Sequence, residues 1–162
     1  FAYLSDNYAK NENTKGLKTL IDWGQSNIGV DWHTLYINAD RMYELGRPDW
    51  AGDYMEAAAN GIGKVIGTDP NAIPSNIVAI GNIVLDRYKQ PDRALRIYEV
   101  AIQIDPSSIE AHYGMATAYQ SQGKINEAIE KIDNYVNRYG NEPSLTNAKK
   151  ILESLNSSER KQ

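Results

Sequence analysis

The stretch RALRIYEVAIQIDPSSIEAHYGMATAYQSQGKINEAIEKIDNYVNRYGNEP, which runs from Arg93 to Pro143, decides the fold of this chain. Apolar residues recur in it at helical spacing, and they are interrupted by an Asp-Pro turn after Ile104 and by a turn at Gly123. A small residue followed four positions later by a large one occurs at Ala94 and again at Ala128, an offset of 34 residues (128 − 94 = 34). A helical pattern with this period predicts stacked helical hairpins.

The stretch resembles the tetratricopeptide repeat (TPR) family, whose unit is a helix–turn–helix of about 34 residues. Gly123 stands at the turn within the last unit, and Tyr119 fills the large aromatic position before it. Ala128 is the small residue where the two helices cross, and Pro106 follows Asp105 where the family usually breaks its second helix. The resemblance implies an all-α fold, a right-handed α-solenoid of about four TPR-like hairpins followed by a C-terminal capping helix.

Carrying the period along the chain predicts a single TPR domain over residues 1–162. Its segments are a degenerate partial repeat at 1–31, a repeat at 32–74 with a long or glycine-interrupted second helix, repeats at 75–108 and 109–142, and a capping helix at 143–158. Gly46 and Gly123 are 77 residues apart (123 − 46 = 77), nine more than two periods, which indicates an insertion at 60–67. Since an interior glycine costs a helix about 1 kcal/mol relative to alanine, the insertion is either a helix longer by about two turns or a bend or loop.

The composition excludes several classes of function. The chain has no cysteine, so it has neither a disulfide framework nor a thiolate metal site. Its formal net charge of −4 argues against nucleic acid as a partner. No apolar run approaches the roughly 20 residues that span a bilayer, so direct membrane insertion is not predicted for this fragment. Phe1 in place of Met favours an excised or processed piece, and both a cytoplasmic and a cell-envelope (periplasmic) location are left open.

No motif for catalysis, a cofactor or a metal is found, so the chain is predicted not to be an enzyme. The two histidines, His33 and His112, do not stand at ligand spacing from other donors, and His112 occupies a position that the family usually fills with a bulky packing residue. The GIGK segment at 61–64 lacks both the upstream glycine and the following Ser or Thr of a phosphate loop. Helix-end glycines explain it better, and a small-ligand or nucleotide site there is kept as a third hypothesis.

The aromatic residues divide into a core set and a surface set. One set lies on stripes that should face neighbouring helices and is predicted to be core: Trp23, Trp32, Trp50, Tyr98 and Tyr119. Residues one step off the core stripe of each first helix are predicted to line a concave groove that binds a peptide. These groove residues are His33, Tyr36, Asp40, Tyr43, Asn76, Ile83, Asp86, Arg87, Glu110, Tyr113, Thr117 and Gln120.

The resemblance also bears on the partner. Co-chaperone members of the family grip a C-terminal carboxylate with Lys, Asn and Arg, and the corresponding positions here are Ala2, Asp6, Ile37, Asn76 and Ile80. Among these only Asn76 could donate, so a neutral or basic protein segment is the predicted partner. The first hypothesis is a non-catalytic protein–protein interaction scaffold. The alternative is a soluble TPR appendage of a larger membrane or cell-envelope protein that positions or oligomerises it, and homo-oligomerisation is left open.

Overall fold

The computed structural model describes residues 4, 7–8, 11, 13–27, 31–140 and 142–159, and within these ranges it contains helices and no strand. The helices are α1 (Thr14–Asn27), α2 (Trp32–Glu44), α3 (Pro48–Val65), α4 (Pro74–Asp86), α5 (Pro91–Ile104), α6 (Ile109–Ser121), α7 (Ile125–Tyr139) and α8 (Pro143–Glu159). The predicted all-α helical-repeat solenoid is confirmed. The division into repeats at the predicted boundaries stays a prediction, and most of the opening of the 1–31 segment lies outside the described residues.

Proline residues and polar caps set where several of the helices begin. Pro48, Pro74 and Pro91 are the first residues of α3, α4 and α5, where a backbone N–H would have no intrahelical acceptor in any case. Asp31 caps α2 and Ser108 caps α6, each accepting a hydrogen bond from the backbone N–H three residues on, at 2.6 and 3.3 Å. The sequence therefore encodes the helix starts locally.

Three helical hairpins, α2–α3, α4–α5 and α6–α7, follow one another, and α8 packs behind the last of them. The first and third turns hold Gly46 and Gly123 at φ values of +73° and +74°, where a side chain would be strained. The middle turn, residues 87–90, is one residue longer than the turns at 45–47 and 122–124. There Lys89 adopts the positive φ of 58°.

The insertion lies in the first hairpin and is divided between a helix and a loop. α3 has 18 residues, against 14 in α5 and 15 in α7, and the connector 66–73 after it is longer than the corresponding connector 105–108. The expected lengthening of the second helix is thus found, but it amounts to about one turn rather than two. The helix runs through the glycines up to Val65, and a Cβ on Gly61 would lie 3.2 Å from the Cβ of Trp32.

The buried side chains form two hydrophobic clusters, one spanning α1 to α6 and one spanning α6 to α8. In the second cluster Ala128 is fully buried, and Leu145 and Leu152 of α8 are buried against it. α8 therefore covers the last apolar face of the stack, as a terminal helix of a repeat array must. No described helix combines the length and the apolar composition that crossing a membrane requires.

The predicted core aromatics are confirmed with one exception. Trp50 and Tyr98 are buried, and Trp32 and Tyr119 are partly buried against the core. The prediction for Trp23 was wrong, because its side chain is 49% exposed. The buried stripe of α1 consists of Leu17, Leu20, Ile21 and Gly24. Trp23 lies two residues after Ile21, which turns it away from that stripe.

Candidate functional site

Pockets lie in a row along the first helices of the three hairpins, α2, α4 and α6. One lies between α2 and α4, one between α4 and α6, and one between α6 and the terminal helix α8. The α2/α4 pocket has a volume of about 210 Å³, the α4/α6 pocket about 450 Å³ and the α6/α8 pocket about 60 Å³. We call the surface that they share the first-helix face. The predicted groove residues that line these pockets are His33, Tyr36, Asn76, Asp86, Glu110, Tyr113, Thr117 and Gln120. Their role in binding stays a prediction.

Three other predicted groove residues contact one another and a fourth side chain. An Arg87 Nη1 atom lies 2.6 Å from Asp40 Oδ1, and the guanidinium carbon lies 4.4 Å from the ring centroid of Tyr43. The Tyr43 ring stacks on Tyr88 at 4.8 Å, and burial raises the pKa of Tyr88. We call these four residues the α2/α4 clasp. Its side chains connect two hairpins. Because they already contact one another, fewer of their polar and aromatic groups are available to a ligand than the predicted groove implied.

The remaining predicted groove residue, Ile83, is partly buried against the first hydrophobic cluster. It shares the helix face of Asn76 and Ala79 but is not among the residues that line the three pockets.

The contact between α4 and α6 is closer than the contact between α2 and α4. Cα atoms of α4 and α6 approach within 8 Å of one another, whereas no Cα atom of α2 lies that close to α4 in these fully described helices. The Tyr98 ring of α5 reaches both Gly81 and Gly114, where an added Cβ would lie 2.5 Å from a ring atom. The Tyr98 hydroxyl donates a hydrogen bond to Asn82 Oδ1 at 2.6 Å. The two glycines therefore allow the close approach of these helices.

The α4/α6 pocket combines apolar walls with two carboxylates. It is lined by Asn82, Leu85 and Asp86 of α4, Tyr98 of α5, and Ile109, Glu110, Tyr113, Gly114 and Thr117 of α6. No basic residue occurs among these described residues. Sequence reasoning did not find Asn82, Leu85, Ile109 or Gly114. Glycines in the middle of two helices were the available signal, because an interior glycine often marks a close backbone approach.

A larger open pocket of about 710 Å³ lies where the connector 66–73 meets the start of α2. The Trp32 Nε1–H donates to Asp69 Oδ2 at 2.9 Å, and this hydrogen bond lowers the pKa of Asp69. The Asn76 side-chain amide donates to the backbone carbonyl of Asn71 at 2.7 Å. Ala2 and Asp6 lie outside the described residues. Among the described positions that were compared with the co-chaperone pattern, Asn76 is the one donor, and its side-chain amide already donates to the connector.

Two arginines of the second helix α5, Arg93 and Arg96, are paired with acids of α3. An Arg93 Nη1 atom lies 2.6 Å from Asp53 Oδ1 and 3.0 Å from Glu56 Oε2, and Arg96 Nε lies 2.8 Å from Glu56 Oε1. Burial would raise the pKa of Glu56, but the hydrogen bonds and charges of Arg96 and Arg93 outweigh it and lower that pKa. These ion pairs connect α3 to α5 and leave the carboxylates of the α4/α6 pocket outside the network.

His112 has a packing environment. Its Nε2 atom is 3.2 Å from the backbone oxygen of Pro106, and its ring centroid is 4.9 Å from that of Tyr135. Burial lowers the pKa of His112. In the part of the chain that the structure describes, no group of three or more His, Asp or Glu side chains could hold a metal ion.

The tetratricopeptide repeat family model matches residues 87–152, from the turn after α4 into α8. This stretch therefore resembles the tetratricopeptide repeat in sequence, and the resemblance drawn from the residues is confirmed over it. Members of this family are typically non-catalytic protein–protein interaction modules.

Among solved structures, the first TPR of Spaghetti (RPAP3) bound to the HSP90 peptide SRMEEVD is similar to the chain at 18% sequence identity, with a TM-score of 0.49. The similarity covers 79% of this chain and 99% of that chain. No curated protein matches the sequence.

Proposed function

We propose that the chain is a non-catalytic scaffold that binds a peptide or protein segment along the first-helix face. The observation that supports this proposal is the row of pockets between successive first helices. These pockets are lined by residues that helical spacing had predicted to line a groove. Tyr113 is 49% exposed and lines two of the pockets, so one segment can contact both across its ring. Tyrosine suits this role because it offers a rigid apolar surface with a polar tip.

The charge of the face favours a neutral or basic segment. Asp86 and Glu110 line its largest pocket, while Arg87 is paired with Asp40. An acidic segment would therefore meet unpaired carboxylates and be repelled, and a basic one would be attracted. The alternative, an appendage that positions or oligomerises a larger membrane or cell-envelope protein, stays a prediction.

The test uses a phage-displayed library of random dodecapeptides as the probe. We expect the parent chain to enrich peptides and the double variant Tyr36→Ala/Tyr113→Ala to lose at least about tenfold in affinity for them, because aromatic anchors dominate such interfaces. The control is Tyr139→Ala, which removes a tyrosine that is 38% exposed on the second helix α7. Thermal unfolding checks that all variants fold. Equal binding by the double variant and the parent would refute the proposal.

A further inference from the structure

We infer that the α4/α6 pocket anchors a lysine or arginine side chain of the bound segment. The inference rests on the proposed function, since it names the side chain that the first-helix face selects.

The shape of the pocket suits the stem of a long basic side chain. Its volume of about 450 Å³ falls within the range of about 300–1,000 Å³ that is usual for ligand pockets. Leu85, Ile109 and the Tyr98 ring provide apolar wall, against which the methylene groups of lysine or arginine can pack while the charged end stays near solvent. The exposed ring of Tyr113 can face the cation.

The charge of the pocket suits the head of the same side chain. Asp86 and Glu110 come from two different helices and line one pocket, and neither forms an ion pair with another described residue. Arg87, which follows Asp86 in the chain, is engaged elsewhere because it pairs with Asp40. A cation from a partner would therefore complete a charge arrangement that the chain itself leaves open.

An apolar anchor fits the pocket less well. An apolar side chain would pack against the apolar wall, but it would bring no positive charge to the two carboxylates and would displace part of their hydration. An acidic anchor would be repelled by both. The pocket should thus discriminate between side chains of equal length by charge.

The experiment starts from the dodecapeptides that the parent chain selects. We expect a lysine or arginine at a fixed position in them, and replacing that residue by uncharged norleucine should weaken binding by about 5- to 30-fold. The variant Asp86→Asn/Glu110→Gln should bind the basic and the norleucine peptides equally. The matched control Glu99→Gln/Glu130→Gln neutralises two exposed carboxylates on the second helices α5 and α7 and should keep the parent's preference.

The outcomes separate the two proposals. Selected peptides that depend on Tyr36 and Tyr113 but show no basic preference would overturn the lysine or arginine anchor and leave the peptide-binding face intact. A norleucine peptide that binds the parent as well as the basic one would do the same. Failure to enrich any peptide would remove both proposals. A preference that persists in Asp86→Asn/Glu110→Gln would overturn the role of these two carboxylates.

Discussion

The first and second hairpins meet differently from the second and third. At the α2/α4 junction the backbones stay apart, and the side chains of the clasp connect α2 to the turn that follows α4. These side chains are Asp40, Tyr43, Arg87 and Tyr88. At the α4/α6 junction the backbones approach, because glycines face the Tyr98 ring. The wide junction follows the hairpin with the longer second helix and connector, and the close junction follows the hairpin without them. One repeat architecture therefore accommodates two spacings between successive first helices.

The largest expected difference concerns the tyrosines of the two junctions. Tyr98 is fully buried, so Tyr98→Ala should lower the free energy of unfolding by about 3–5 kcal/mol. Tyr43 is only partly buried in the clasp, so Tyr43→Ala should cost about 1 kcal/mol. Urea denaturation followed by far-UV circular dichroism measures both. Equal losses would mean that the junctions are equally packed.

The next comparison makes the same substitution at two helical glycines. Gly114→Ala should destabilise the chain by about 1–3 kcal/mol, because the new Cβ would overlap the Tyr98 ring at the close junction. Gly63→Ala in α3 should instead stabilise by up to about 1 kcal/mol, because its Cβ would lie 3.4 Å from Ile104 in ordinary contact while the helix loses a glycine. The sign of the two changes in the urea midpoint decides the matter. If both variants gain stability, the close junction has room to spare.

The smallest expected effect belongs to the ion pair of the wide junction. The side chains of Asp40 and Arg87 are 42% and 43% exposed, so a double-mutant cycle with Asp40→Asn and Arg87→Met should give a coupling of about 0.2–1 kcal/mol. Raising the salt concentration should reduce it, because exposed charges are screened. Repeating the cycle at low and high salt provides the control. A coupling that is larger and unaffected by salt would place this pair in a dry environment.

Local signals in the sequence predict much of the fold. Prolines and capping residues mark helix starts such as Pro91 and Ser108, and the 34-residue offset of Ala94 and Ala128 predicts the stack. Trp23 was assigned to the wrong stripe, because the buried stripe of α1 runs through Leu17 and Ile21 and leaves Trp23 exposed.

The candidate site was less predictable, because it depends on contacts between residues far apart in the sequence. Helical spacing predicts that Asp40 and Arg87 line one groove, but it cannot show that these side chains, 47 positions apart, pair with each other. Nor can it show that Tyr98, assigned to the core, also lines a pocket. The close approach of α4 and α6 is likewise not readable from spacing, and the glycines at 81 and 114 were the one signal of it.

Tyr98 belongs both to the core and to the wall of the α4/α6 pocket. Evolution can therefore alter one part of that pocket but not the other. Under the proposed function, substitutions at exposed side chains such as Asp86, Glu110 and Tyr113 would change which segment is bound while the domain stays folded. Substitutions at Tyr98 or Gly114 would alter recognition only while also destabilising the fold of the domain. Related sequences should therefore vary at Asp86, Glu110 and Tyr113 and retain Tyr98 and Gly114.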